Sequence, residues 1–126
     1  MSKVPEDLNY TKSHEWFKVE GDIATIGVTD YAQNQLTDIV YIEVPSVGDK
    51  KKLGDVLLTI ESVKSAEDVY APVSGTVLEV NSALEDKPEL VNEDSYSNWI
   101  VKIKLDSPGS EKGMSAPEYR KIIGEN

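Results

Sequence analysis

Short runs of β-branched and aromatic residues recur along this chain, and most of them are closed by glycine, proline or aspartate. Such runs predict strands that are joined by tight turns. The runs do not alternate regularly with helical segments, so βαβ units and a parallel sheet are not expected. The pattern therefore predicts an antiparallel sandwich or a flattened barrel, with about seven or eight strands and two or three small helices.

The predicted strands cover residues 15–20, 23–28, 39–44, 56–61, 67–71, 76–80 and 99–105. A short helix is expected to start at Asp30, because Asp30 and Gln33 have the spacing of a capping box. A second is expected over residues 115–123, where Ser115 and Glu118 repeat that spacing, with Tyr119, Ile122 and Ile123 facing inward. In the last strand, Trp99, Val101, Ile103 and Leu105 alternate on one face. Trp16 is expected in the core, and the run 50–52 is interpreted as a solvated basic loop.

One lysine stands out between two of these predicted strands. The runs 56–61 and 67–71 are separated by few residues, so they are expected to pair as a hairpin with Lys64 exposed at its tip. Three carboxylates surround this single cation: Glu61, Glu67 and Asp68. Small residues leave space around it: Ser62, Ser65 and Ala66. An ordinary surface lysine in a turn is the alternative, but an enzyme that modifies Lys64 would need such a clearing.

Length and charge limit the remaining possibilities. A chain of 126 residues is expected to form one domain, and one Phe and two Trp leave a largely aliphatic core. The 23 acidic and 13 basic side chains give a net charge of -10, opposite in sign to what nucleic-acid binding requires. An acidic surface suits basic partners, and it also suits plain solubility.

Several kinds of site are excluded by residue content. The chain has no cysteine, so it has neither disulfides nor thiolate chemistry. His14 is the only histidine, the acidic residues lack calcium-loop spacing, and no metal site is expected. No apolar run approaches the roughly 20 residues of a membrane helix. Residues 1–9 are polar, expected to be loosely held, and resemble no targeting signal, so a bacterial cytoplasmic location is expected.

The residues around Lys64 resemble a known family. Glu61-Ser62-Val63-Lys64-Ser65, followed by 68–75 (Asp-Val-Tyr-Ala-Pro-Val-Ser-Gly), is similar to the lipoylation site of the glycine cleavage system H proteins. Further matches lie at 13–16, 27–33 and 83–92, and several motifs in order are more specific than one. Biotin carriers flank their lysine with methionines, and lipoyl domains of 2-oxoacid dehydrogenases carry Asp-Lys-Ala. Neither pattern is present here.

The resemblance implies a mainly β barrel-sandwich hybrid of the lipoyl and biotinyl carrier type. It implies that residues 10–126 form one monomeric carrier domain with a short C-terminal helix. Lipoate would be attached to Lys64 by a lipoate-attaching enzyme. The arm would take an aminomethyl group from glycine decarboxylase to an aminomethyltransferase, and dihydrolipoyl dehydrogenase would reoxidise it. The protein would then be a carrier and not an enzyme.

The resemblance also assigns roles to other residues. Ser13, Glu15 and Asp68 would hold the loaded arm in a cleft, where carboxylates can contact its ammonium. The residues themselves, and not the resemblance, suggest that Glu61 and Gly75 are read by the lipoate-attaching enzyme, since Glu61 offers a carboxylate near the tip of the hairpin. Gly75 is expected there because it provides a backbone conformation open only to glycine.

Three other functions are compatible with parts of the sequence. A relay that passes octanoyl or lipoyl groups to other lipoyl domains would use the same lysine. An enzyme with a Schiff-base lysine is disfavoured, because such lysines are usually buried or beside another cation, whereas acids flank Lys64. A purely structural domain would tolerate any residue at the tip, and it would not require the other motifs.

Overall fold

The computed structural model describes residues 2–125, and it confirms a mainly β fold. The described chain contains nine strands: β1 Asn9–Tyr10, β2 Glu15–Glu20, β3 Ile23–Val28, β4 Ile39–Glu43, β5 Lys50–Lys51, β6 Val56–Ser62, β7 Ala66–Tyr70, β8 Gly75–Val80 and β9 Val101–Leu105. It also contains four short helices: α1 Asp30–Leu36, α2 Ala83–Asp86, α3 Leu90–Glu93 and α4 Ala116–Ile122. None of these helices is long and apolar enough to cross a membrane, in the part of the chain so described.

The strands form two antiparallel sheets that enclose an aliphatic core. The larger sheet has the order β1-β2-β3-β9-β8-β5, and the smaller has the order β4-β6-β7. Side chains from both sheets meet in one core cluster, in which Ile26, Ile60 and Ile103 are fully buried. This arrangement is the sandwich that the strand pattern predicts, since each sheet hides one apolar face against the other.

A second cluster lies under the C-terminal helix. It contains Val4, Tyr10, Trp16, Ala116 and Tyr119, which are all buried. Trp16 is 4% exposed, so its assignment to the interior is confirmed. The cluster attaches both ends of the chain to the outside of strand β2.

Helix α1 starts at Asp30, as predicted, but its N-cap is the preceding residue and not Asp30 itself. Thr29 is the N-cap, and its hydroxyl accepts a hydrogen bond from the Ala32 N–H at 3.2 Å. Asp30 is the first helical residue, and its carboxylate accepts from the Gln33 side-chain amide at 2.9 Å. The predicted helix is therefore confirmed, but the Asp30 cap was wrong, because a threonine directly before an acidic residue competes for the cap position.

Three further expectations are corrected by the packing. Lys50 and Lys51 are not loop residues, because they pair with Thr76 and Gly75 as an edge strand. Trp99 precedes β9 and packs on the second cluster, away from the inward face of that strand. Ile122 is 43% exposed, so it does not face inward as the helix pattern predicts. Each of these depends on which element lies next to the residue, and spacing along the chain does not report that.

The N-terminal residues contact the C-terminal ones. The Ser2 N–H donates to the Glu125 carboxylate at 2.7 Å, and the Lys3 N–H donates to Asp30 at 3.0 Å. Val4 is 7% exposed within the second cluster. These contacts hold the start of the described chain against α1 and α4, which the sequence did not predict. The division of the chain at residue 10 stays a prediction.

Candidate functional site

Lys64 lies at the tip of the β6–β7 hairpin and is exposed, as the strand pattern predicts. The strands stay in register up to the pair Glu61 and Ala66. The Ser62 N–H then donates to the Ser65 carbonyl at 2.8 Å, and the Ser62 hydroxyl accepts from the Lys64 N–H at 3.3 Å. The Val63 N–H donates to the Asp38 carbonyl at 3.0 Å. The turn is thus fixed by its own serine and tied to the connection before β4, so the hairpin presents the amine from a defined position.

The carboxylates around the tip are all exposed. Glu61 lies on β6, whereas Glu67 and Asp68 lie on β7. Asp68 accepts a hydrogen bond from the Thr59 hydroxyl at 3.1 Å across the strand pair. None of the ion pairs found among residues 2–125 involves Lys64, so its amine is open to a reaction partner.

A cleft of about 440 Å³ opens beside the lysine, between the hairpin and helix α1. Its lining residues are Ser13, His14, Val28, Tyr31, Ala32, Gln35, Leu36, Lys64, Ser65, Glu67, Asp68 and Val69. The structure therefore brings Ser13, Asp68 and Lys64 into one cleft, although Ser13 lies 51 residues before Lys64 in the sequence. Apolar side chains form much of the wall, and hydroxyl, amide and carboxylate groups form the rest.

Glu15 lies behind the cleft wall and is 2% exposed. One carboxylate oxygen accepts hydrogen bonds from the Thr11 and Ser13 hydroxyls, both at 2.6 Å. The other oxygen is 3.4 Å from the Tyr70 N–H. No lysine or arginine within 2–125 forms an ion pair with it. A buried carboxylate satisfied only by neutral donors remains an uncompensated charge, and this favours a cation nearby.

His14 connects the cleft to the second cluster. Its Nδ1 is 2.8 Å from the Tyr119 hydroxyl, and its ring lies 4.9 Å from the ring of Tyr31. Burial lowers the pKa of His14, because a desolvated imidazolium is unfavourable. Burial likewise raises the pKa of Tyr119, so its phenol stays protonated. The contact between the two side chains is therefore a hydrogen bond between neutral groups near neutral pH.

Gly75 does not have the glycine-only backbone conformation that was expected from the sequence. Its φ is not positive, so its backbone conformation is open to other residues. A Cβ at this position would instead lie 2.1 Å from the Lys104 carbonyl oxygen and 2.5 Å from the Ile103 side chain. Gly75 is buried in β8 of the larger sheet, whereas the lysine hairpin belongs to the smaller one. The glycine is required by close packing against β9.

Sequence reasoning missed the contribution of helix α1 to the cleft. Tyr31 and Gln35 both line it, beside Ala32 and Leu36. The spacing of four residues between Tyr31 and Gln35 places them on one face, which is the signal that would have found them. Among the described residues no group of three His, Asp or Glu side chains could hold a metal ion.

Comparison with known proteins finds the same family by sequence and by structure. The family described as "Glycine cleavage H-protein" matches residues 8–126. A probable glycine cleavage system H protein of Picrophilus torridus is 62% identical over 125 residues, which cover 99% of this chain and 100% of that protein. The glycine cleavage system H protein of Thermoanaerobacter sp. is 54% identical, with 98% of each chain covered. The crystal structure of a glycine cleavage system H protein from Mycobacterium marinum superposes with a TM-score of 0.89 at 30% identity, covering 96% of this chain and 99% of that one.

Proposed function

Since this chain belongs to the glycine cleavage H-protein family, we propose that Lys64 is the residue that bears its lipoyl group. The protein is the lipoyl carrier of the glycine cleavage system, moving the aminomethyl group of glycine between the enzymes of that system. The observation that supports Lys64 is its position at the tip of a fixed hairpin, directly beside a cleft. None of the ion pairs within residues 2–125 involves its amine.

The residues around Lys64 fit a lipoyl arm. The amine can form an amide with the lipoate carboxylate, which removes its positive charge and leaves the carrier more acidic. When bound, the group supplies a dithiolane that accepts the aminomethyl group and is thereby reduced. The cleft has apolar walls for an alkyl chain, with Val28, Leu36 and Val69 along it. The short turn from Ser62 to Ser65 keeps the attachment point beside the opening.

We propose that Ser13, Glu15 and Asp68 favour the cationic aminomethyl group in this cleft. Ser13 and Asp68 line the cleft directly, and Glu15 lies behind Ser13. The Ser13 hydroxyl donates to Glu15, so its own oxygen is polarised and remains available as an acceptor. An ammonium at the cleft would partly compensate the buried carboxylate.

The same proposal extends to partners and location. As a member of the system the carrier interacts with its other components. We propose glycine decarboxylase, aminomethyltransferase and dihydrolipoyl dehydrogenase as those components, together with a lipoate-attaching enzyme. We further propose that residues 10–126 act as one monomeric carrier domain in the cytoplasm, without enzymatic activity of its own. Whether the source cell is bacterial remains a prediction.

Peptide mass spectrometry of the protein from its own host tests the attachment site. We expect a lipoyl or octanoyl group on Lys64 and on no other lysine. Lys64→Arg should fold normally and lose all carriage, because a guanidinium does not accept the acyl group. Lys52→Arg is the matched control, since Lys52 is also exposed but lies outside the hairpin. A lipoyl group on another lysine with Lys64 unmodified would overturn the assignment.

A further inference from the structure

His14 lies between Ser13 and Glu15, and its backbone is in the left-handed region with a φ of 72°. Residues other than glycine seldom adopt this conformation, and it persists only where the surrounding structure holds it. The direction in which Ser13 and Glu15 point therefore depends on the contacts that hold His14.

Two groups from elsewhere in the chain supply those contacts. The Tyr119 hydroxyl is hydrogen-bonded to the His14 ring at 2.8 Å and to the Thr29 hydroxyl at 2.7 Å. The Thr29 N–H donates to the His14 carbonyl at 3.0 Å. Tyr119 and Thr29 together thus hold both the ring and the backbone of His14.

We propose that Tyr119 is a positioning residue for the cleft. By fixing the His14 ring, it keeps the Ser13 hydroxyl and the Glu15 carboxylate in the arrangement that receives the aminomethyl group. The inference rests on the proposed function of the cleft. Tyr119 is fully buried and does not line the cleft, so it acts through His14 and not by contact with the aminomethyl cargo.

The helix that carries Tyr119 is itself held by a capping box at its start and by contacts with the N-terminal segment. Ser115 and Glu118 form a complete capping box at the start of α4. Arg120 donates to the Val4 carbonyl at 3.1 Å and forms an ion pair with Glu6 at 2.9 Å. The position of His14 is therefore linked to contacts between the N-terminal segment and the C-terminal helix.

Tyr10 provides a matched control for Tyr119. The two rings stack with centroids 4.8 Å apart, and both side chains are fully buried. The Tyr10 hydroxyl donates to the Pro5 carbonyl and makes no hydrogen bond with His14. Tyr10→Phe and Tyr119→Phe each remove one buried hydroxyl from the same cluster, but only Tyr119→Phe removes the support of the His14 ring.

The first measurement needs no cargo and uses the unlipoylated full chain. The Glu15 N–H donates to the Thr11 hydroxyl at 3.0 Å, so its hydrogen exchange reports opening of the segment 13–15. We expect Tyr119→Phe to speed exchange of this amide by about tenfold, and Tyr10→Phe to leave it near the parent rate. Equal rates in the two variants would overturn the inference.

The second measurement follows the loaded carrier in the absence of the transferase. Loss of cargo adds water, breaks the carbon–sulfur bond and releases formaldehyde, ammonium and the free thiol. Tyr119→Phe should shorten the lifetime of the bound aminomethyl group about fivefold while lipoylation proceeds normally, and Tyr10→Phe should not. An unchanged lifetime in Tyr119→Phe would contradict the positioning role.

Two more variants separate the possible failures. His14→Asn tolerates the left-handed backbone and leaves α4 intact, so it tests the same contact if Tyr119→Phe folds poorly. The double variant His14→Asn/Tyr119→Phe should lose the aminomethyl group no faster than either single variant, because both changes remove the same contact. If Glu15→Gln and Asp68→Asn both retain the aminomethyl group like the parent, the cleft function and this inference both fail. If Glu15→Gln loses cargo faster but His14→Asn and Tyr119→Phe do not, only the inference fails.

Discussion

The buried carboxylate of Glu15 is the residue whose charge should matter most for retention of the cargo. A hydrogen bond to a charged group is stronger than one between neutral groups by about 1 kcal/mol, which corresponds to about a fivefold effect. We therefore expect Glu15→Gln and Asp68→Asn each to speed loss of the aminomethyl group several-fold in the absence of the transferase. Intact mass followed over time gives the rate.

Both of these variants keep the size of the side chain and should leave lipoylation unchanged. Gln at position 15 can still accept hydrogen bonds from Thr11 and Ser13, which now contact the carboxylate. A comparison with Glu43→Gln controls for the change in net charge, since Glu43 is exposed on β4 and does not line the cleft. If Glu15→Gln and Asp68→Asn both retain the group as long as the parent, these carboxylates do not stabilise it.

His14 should make the stability of the fold depend on pH. Its pKa is lowered below the ordinary value of 6.5 in the folded chain, so the unfolded chain binds more protons below that value. The contribution of His14 to the free energy of unfolding should accordingly be fully present above about pH 6.5. It should be lost as the pH decreases through the folded pKa. Urea unfolding at a series of pH values measures this, and His14→Asn should remove the dependence in that window.

At the scale of elements, the two residues assigned to the lipoate-attaching enzyme belong to different sheets. Glu61 is exposed on the lysine hairpin, whereas Gly75 is buried against β9. We expect Glu61→Ala to slow lipoylation without changing the midpoint of thermal unfolding. Gly75→Val should instead destabilise the domain by about 3 kcal/mol or more, because backbone and not a flexible side chain blocks the added atoms.

Lipoylation kinetics and thermal unfolding of both variants distinguish the two effects. Glu43→Ala removes a carboxylate from the neighbouring strand β4 and serves as the control for Glu61→Ala. An unaltered lipoylation rate in Glu61→Ala would remove this carboxylate from recognition. We propose that Gly75 contributes to recognition only by allowing β8 to approach β9.

At the scale of the whole molecule, a net charge of -10 should steer association with partner enzymes. The electrostatic range falls from about 10 Å at 0.1 M salt to about 3 Å at 1 M, so long-range attraction is lost as salt increases. We expect the association rate with glycine decarboxylase or aminomethyltransferase to fall about tenfold across that range, with a smaller change in the dissociation rate. Stopped-flow kinetics measure both, and a rate independent of salt would indicate that the acidic surface serves solubility alone.

Local patterns determined most of the elements. The strands Glu15–Glu20 and Ile23–Val28 have the bounds that the sequence predicts, because alternating side chains and a turn at Gly21 are short-range signals. The Ser115 capping box and the exposure of Lys64 were also predictable, since each depends on residues within a few positions. The resemblance of the sequence motifs to a family was needed to associate Ser13, Glu15 and Asp68 with one another.

Contacts between distant residues were decided only by the tertiary structure. The His14–Tyr119 hydrogen bond joins residues 105 positions apart, and the clash expected at Gly75 comes from the paired strand β9. Neither leaves a periodic signal in the sequence, because spacing reports which residues share a face and not what lies against that face. Glu15 was predictable as a polar strand residue. Its burial was not, because that depends on β7 and on the loop at 11–14, which close over it. The amino-acid sequence thus determined the hairpin and its lysine, while packing between remote segments determined the cleft beside it.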